Sequence, residues 1–107
     1  MEEPIYMLNA LWLKSDGGRD KYLAYGEAMQ PLLEKAGAEV MPNYAPEQAI
    51  IGDWDPDVFF FVKYPNQSAF ETMISSDAYK NVMHLREEAI DKSLLIRCKP
   101  FDWFNNN

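Results

Sequence analysis

Val58-Phe59-Phe60-Phe61-Val62-Lys63-Tyr64 is the stretch on which the fold turns. β-branched and aromatic residues fill every position but one, which is the composition of a strand. Side chains alternate across a strand, so Phe59 and Phe61 point one way and Phe60, Val62 and Tyr64 the other. An antiparallel sheet ordinarily keeps one face wet. This strand has no wet side, so both faces of its sheet need a cover.

Upstream, Gly52-Asp53-Trp54-Asp55-Pro56-Asp57 reads as a turn. Residues 38–51 form an extended segment that Pro42 and Pro46 reduce to two short pieces or an irregular edge. Residues 19–36 read as a helix, with Tyr22, Tyr25, Met29, Leu32, Leu33 and Ala36 on one stripe and Gly37 as its stop. Gly26 shares that stripe and would let a strand or ligand come close. Pro31 conflicts with the helix, because it removes a donor and should free the Glu27 carbonyl. Ser15-Asp16-Gly17-Gly18 is a loop able to cap that helix. Ile5–Leu13 is an apolar run broken only by Asn9, a second strand with two apolar sides.

Downstream, Asn66 caps a short helix carrying Phe70, Met73 and Ile74 on its inner side. Ser76 caps another from Asp77 to about Ile90, with Tyr79, Val82, Met83, Arg86 and Ile90 as its inner stripe. Residues 94–99 form the last strand and Pro100 ends it. The order is βαββαβ, the ferredoxin-like split pattern: an α+β domain over residues 1–100, an antiparallel sheet with helices on one face, and an aromatic, Asn-ending tail over 101–107. The helices cover one sheet face only. A second copy of the chain is the economical cover for the other, and the tail Phe101, Trp103, Phe104 folding back is the alternative.

The 107 residues suffice for one domain, and 48% hydrophobic with 25% charged residues marks a globular chain. A net charge of −7 repels phosphate backbones and anionic lipids, so neither nucleic acid nor membrane is an expected partner. No apolar run long enough for a membrane span or a secretory leader is visible, and Cys98 has no second cysteine to pair with. Together these point to the cytoplasm.

The stretches Gly52-Asp53-Trp54-Asp55-Pro56, Val58 to Pro65, Ser76-Asp77-Ala78-Tyr79, Leu85-Arg86 and Leu32-Leu33-Glu34-Lys35-Ala36-Gly37 resemble domain-of-unknown-function family 1330. The resemblance runs over roughly residues 6–96. It implies a dimeric α/β barrel, two sheets packed face to face, in a superfamily that also holds cofactor-free monooxygenases, lactone isomerases, haem enzymes and ligand-sensing domains. The chain departs from the family pattern at Gly37-Ala38, where members usually carry a glycine pair. It departs again at Ile51, where they usually carry an acidic residue, so it lacks that carboxylate.

Arg86 is the sharpest chemical signal, because it falls on an apolar stripe. Its flat five-donor fork suits a carboxylate or enolate of a small ligand. An internal partner, either Glu27 or strand carbonyls, would also satisfy it. His84, the one histidine, sits beside the stripe. It is either a general base suited to neutral pH or a half-exposed surface residue. Tyr22, Tyr25 and Tyr79 could direct a ligand between helices and sheet, or serve as core tyrosines with satisfied hydroxyls. Asn9 would bond a ligand or neighbouring backbone, and Trp54 would be a pocket lid or part of a dimer seam. One His and one Cys cannot build a zinc site, and haem on His84 would rest on superfamily analogy alone. The Asp53–Asp57 acids have Val58 where a calcium loop needs glycine and Tyr64 where it needs glutamate. No metal and no cofactor are expected. The expected function is a homodimer binding a small carboxylate or aromatic molecule between helices and sheet. The alternative is a cofactor-free monooxygenase or isomerase.

Overall fold

The register of three strands shows how the apolar runs are used. The computed structural model describes residues 3–104. β1 (Ile5–Leu13) lies between β3 (Val58–Tyr64) and β4 (Ile90–Cys98), antiparallel to both, and a two-residue β2 (Glu39–Val40) borders β3. Helices α1 (Gly18–Lys35), α2 (Gln67–Ser75) and α3 (Asp77–Ala89) complete the chain. This is the ferredoxin-like order, four antiparallel strands with three helices on one face.

Ile5, Met7 and Leu11 of β1 and Phe60, Val62 and Tyr64 of β3 are buried against Tyr25 and Met29 of α1 and Met73 of α2. The alternate residues form the other face. Leu8 sits between Phe61 and Ile96 in register, Ala10 between Phe59 and Leu94, and Tyr6 between Lys63 and Cys98. Among the described residues no helix covers that face. The described part of the tail does not cover it either: Phe101 is 72%, Trp103 84% and Phe104 97% exposed, and Phe101 and Trp103 pack on one another instead.

Several local expectations need correction. The last strand begins at Ile90, directly after α3, rather than at 94. β4 is an edge strand, so Asp91 and Lys92 near its start stand in solvent. The inner stripe of α3 is Tyr79, Val82, Leu85, Arg86 and Ala89, whereas Met83 is 37% exposed. α1 runs through Pro31 unbroken, and Pro31 and Glu27 both lie on its exposed side. Its N-cap is Gly17 in the left-handed region, with no side-chain bond, so neither Ser15 nor Asp16 caps it. Asn66 and Ser76 do cap α2 and α3, accepting from the Ala69 and Tyr79 amides at 2.8 and 3.1 Å. Gly37 ends α1 at φ 71°, with the Ala38 and Gly37 amides donating to the Leu33 and Glu34 carbonyls at 2.9 and 3.0 Å.

The turn before β3 is a clasp. Trp12 Nε1 donates to Asp55 at 3.0 Å, the Leu13 amide donates to Asp57 at 2.7 Å, and the Asp57 amide donates to the Leu11 carbonyl at 2.8 Å. These bonds fasten residues 55–57 to the end of β1.

Gly18 is buried where α1 starts beneath the end of α3. A Cβ there would stand 2.7 Å from the Ala89 carbonyl oxygen, which is backbone and cannot swing away. Gly18→Ala is therefore expected to destabilise the fold by about 1–3 kcal/mol, read as a lowered midpoint in urea unfolding. Unchanged stability would mean that the α1–α3 junction is loose.

Candidate functional site

α1 is amphipathic at helical spacing, so Tyr22, Tyr25, Gly26 and Met29 follow one another along the side that faces the sheet. α3 is placed by the Ser76 cap and presents Tyr79 and, two turns later, Arg86 to the same space. β1 contributes Asn9, the polar break in its covered face, paired with Phe60 on one side and Leu95 on the other. Together these residues line a cleft of about 540 Å3 between the helices and the sheet. Phe60, Phe70 and Ile74 supply much of its apolar wall, and Gln30, Glu34 and Asn43 also line it.

Arg86 is half-buried in this cleft. Its guanidinium donates to the Ser93 hydroxyl at 3.4 Å, a long and weak bond. Among the described residues no carboxylate lies within 4.0 Å of it, and the one ion pair joins Lys21 and Glu88 at 3.6 Å on the surface. The internal partners considered from the sequence, Glu27 or strand carbonyls, are thus not what Arg86 meets. Glu27 is exposed on α1, and a seryl hydroxyl takes the contact.

Three tyrosines surround the charge. Tyr22 and Tyr25 are in ring contact, with centroids 5.4 Å apart, and the side chains of Tyr25 and Tyr79 meet at hydrogen-bonding reach. Burial pushes the Tyr22 hydroxyl up to about 12, while the Arg86 charge pulls it down and Tyr79 adds to the rise. Tyr25 is raised as well, first by burial and then by Tyr79. Burial likewise lifts Tyr64 to about 12. Tyr22 and Tyr25 therefore remain neutral hydroxyls, able to donate as well as accept, at any physiological pH. The Asn9 amide donates back to the Met7 carbonyl at 3.2 Å, which leaves its oxygen for another donor.

These shifts carry a pH dependence of stability. The folded state holds the Tyr22 and Tyr64 protons up to about pH 12, while the unfolded chain releases them near 10. The contribution is complete below pH 10 and is lost as the pH climbs from there towards 12. Chemical denaturation should show stability falling across that window. Tyr22→Phe should flatten the fall, and an equal slope in the variant would refute the assignment.

Five of the seven side chains singled out from the sequence meet in the cleft: Arg86, Tyr79, Tyr22, Tyr25 and Asn9. His84 and Trp54 do not. His84 is exposed, because the α3 stripe turns one residue away from it. Trp54 stands over Phe59 on the opposite side of the sheet, ring centroids 5.2 Å apart. It borders a separate hollow of about 770 Å3 with Trp12, Asp55 and Lys92. Some of its polar groups are already engaged: Trp12 with Asp55, Asp57 with the Leu13 amide, and Lys92 over the Trp12 ring at 4.5 Å. Ser93 and Asn43 went unremarked in the sequence. The only available signal for Ser93 was that the α3–β4 junction has no loop, which returns Ser93 beneath Arg86.

The model of the domain-of-unknown-function family DUF1330 matches residues 11–97. A protein of unknown function from Rhodopseudomonas palustris is 33% identical. The match covers 95% of this chain and 85% of that one, with a TM-score of 0.84. A candidate antibiotic biosynthesis monooxygenase from Bacteroides thetaiotaomicron shares the fold at 14% identity, covering 94% and 91% of the two chains, TM-score 0.69. A dimeric ferredoxin-like protein of unknown function from Jannaschia does so at 10% identity, covering 91% and 99%, TM-score 0.68. Among curated proteins none matches. Among the described residues no helix is long and apolar enough to cross a membrane. With the GDW turn, the VFFFVKY strand and the Ser76–Tyr79 helix start all inside the matched stretch, the chain belongs to the DUF1330 family.

Proposed function

We propose that this protein is a homodimeric ligand-binding domain in which two sheets pack face to face and each copy keeps its own cleft for a small organic anion. The observation that carries the ligand reading is Arg86: a guanidinium among aromatic walls whose one hydrogen-bond partner among the described residues is a hydroxyl at 3.4 Å. A half-buried charge left that way gains most from an incoming carboxylate or enolate. The cleft's own side chains would meet the ligand with no cofactor between them. Cys98 is a free thiol, which suits a reducing compartment such as the cytoplasm.

Three quantities support the pairing of sheets. The molecule is a slab 18 Å thick, one sheet and one helix layer. Its radius of gyration is 15.1 Å, against about 13 Å for a compact chain of this length. Its accessible area is 7944 Å2, where a monomer of its mass averages about 6,100 Å2. That excess exceeds the roughly 800 Å2 per partner of a standard interface. Part of it lies on the face of β3, β1 and β4, where Ile96 is 45% exposed, and part on residues 50–54 and 101–104.

The test is direct. Sedimentation should give a dimer at micromolar concentration, and benzoate should raise the melting temperature while benzamide, its uncharged counterpart, should not. A monomer would remove the pairing, and equal shifts would remove Arg86 as the anchor. A second reading, a cofactor-free monooxygenase or isomerase, draws on the same cation and tyrosine donors, which would steady an enolate as it formed. Turnover of an enolisable ketone would favour it over binding alone.

A further inference from the structure

We infer that the cleft selects the ionised form of a conjugated ring compound, a phenolate, enolate or arene carboxylate. Arg86 and the Tyr25–Tyr79 pair meet its oxyanion, and its ring lies over the backbone of Gly26. This rests on the ligand-binding reading above and gives it a chemical class.

The charge of the cleft is set by what it lacks as well as by what it holds. It contains a guanidinium and several hydroxyls but no histidine, since His84 lies outside. Its one carboxylate, Glu34, is exposed. Nothing inside is suited to pull a proton from a neutral ligand at neutral pH. The raised tyrosines cannot do it, because they hold their own protons too firmly. The ligand must therefore arrive ionised or lose its proton to solvent on binding. Phenol gives phenolate and a solvated proton, and the guanidinium favours the phenolate. Donors already aimed at the site of charge need no rearrangement to receive it.

The shape of the cleft points the same way. Gly26 sits in the interior of an 18-residue helix, where glycine costs about 1 kcal/mol relative to alanine. A Cβ placed there would meet nothing within 4 Å, so no neighbour in the folded chain requires the glycine. The space over it belongs to the cleft, and it lies one turn from Tyr22, whose hydroxyl feels the Arg86 charge. A flat ring anchored at Arg86 would occupy that space against Phe60 and Phe70, an arrangement aromatic faces favour.

The probe is 4-nitrophenol, whose phenolate absorbs in the visible, titrated through its ionisation with and without the intact protein. The bound pKa is expected to fall by about one unit, the signature of phenolate held about tenfold more tightly than phenol. Arg86→Met should abolish that fall while retaining weak binding of the neutral phenol. Gly26→Val should weaken both forms with no loss of melting temperature. A bound pKa that stays put or rises would overturn the selection of the ionised form and leave ligand binding standing. Undiminished binding by Gly26→Val would overturn the placement of the ring. If wild type bound neither form at millimolar concentration, the ligand-binding reading itself would fall, and this inference with it.

Discussion

Phe61→Asp is expected to convert the proposed dimer into a monomer that is still folded. Phe61 pairs with Leu8, and Leu8 with Ile96, so the three side chains lie side by side at the centre of the open sheet face. All are large and apolar, and Ile96 is 45% exposed. Face-to-face packing would bury each of them twice, once in each copy. A carboxylate at position 61 would then be buried twice without a partner, at several kcal/mol per site. Doubling by symmetry makes the loss in dimer affinity at least about a thousandfold. In the isolated chain the same carboxylate faces water, so far-ultraviolet circular dichroism and helix content should not change. Sedimentation velocity at micromolar concentration reads the outcome. A variant that still sediments as a dimer would show that another surface holds the copies together.

Arg86→Met carries the second large effect, on ligands rather than assembly. Methionine keeps an unbranched apolar stem of similar reach, so packing beneath α3 persists while the charge goes. Ser93 loses only a 3.4 Å contact. Stability should therefore hold or rise slightly, because a half-buried charge with no carboxylate near it is not a source of stability. Stabilisation by benzoate should vanish, equivalent to a loss of about 1.5–3 kcal/mol of charged hydrogen bonding. Arg86→Lys should recover only part of it, since a point charge cannot reproduce the two parallel bonds of the fork. Calorimetric titration of wild type and both variants decides it. If Arg86→Met instead unfolds the protein, its guanidinium is structural and the cleft has lost its anchor.

Much of the scaffold was legible because period and punctuation agreed. The alternation of Val58–Tyr64, the α1 stripe from Tyr22 to Ala36, and the Asn66 and Ser76 caps all appear in the structure as read. The misreadings occurred where local polarity pointed away from the tertiary answer. The last strand reads as starting too late, at 94, because the polar pair Asp91-Lys92 fits a strand only at a sheet edge, and edge position is set by strand order. Met83 looked like core because the stripe of α3 was phased on Ile90, which belongs to β4. Pro31 reads as a conflict with its helix, and that it lies on the solvent side of a continuous α1 depends on what the helix packs against.

The site divides in the same way. Sequence alone determined that Arg86 shares an inner stripe with Tyr79, that Tyr22 and Tyr25 lie on one helix face, and that the Val58–Tyr64 strand has no polar side. Those follow from spacing along single elements, which short-range geometry controls. Only the tertiary structure decided that the two helices pack together over a cleft shared with the sheet, that Asn9 looks into it, that His84 and Trp54 do not, and that Ser93 rather than an acid meets the guanidinium. Each of those depends on how separate elements are rotated and registered against one another. That is set by packing the whole chain at once, so no window of sequence contains it.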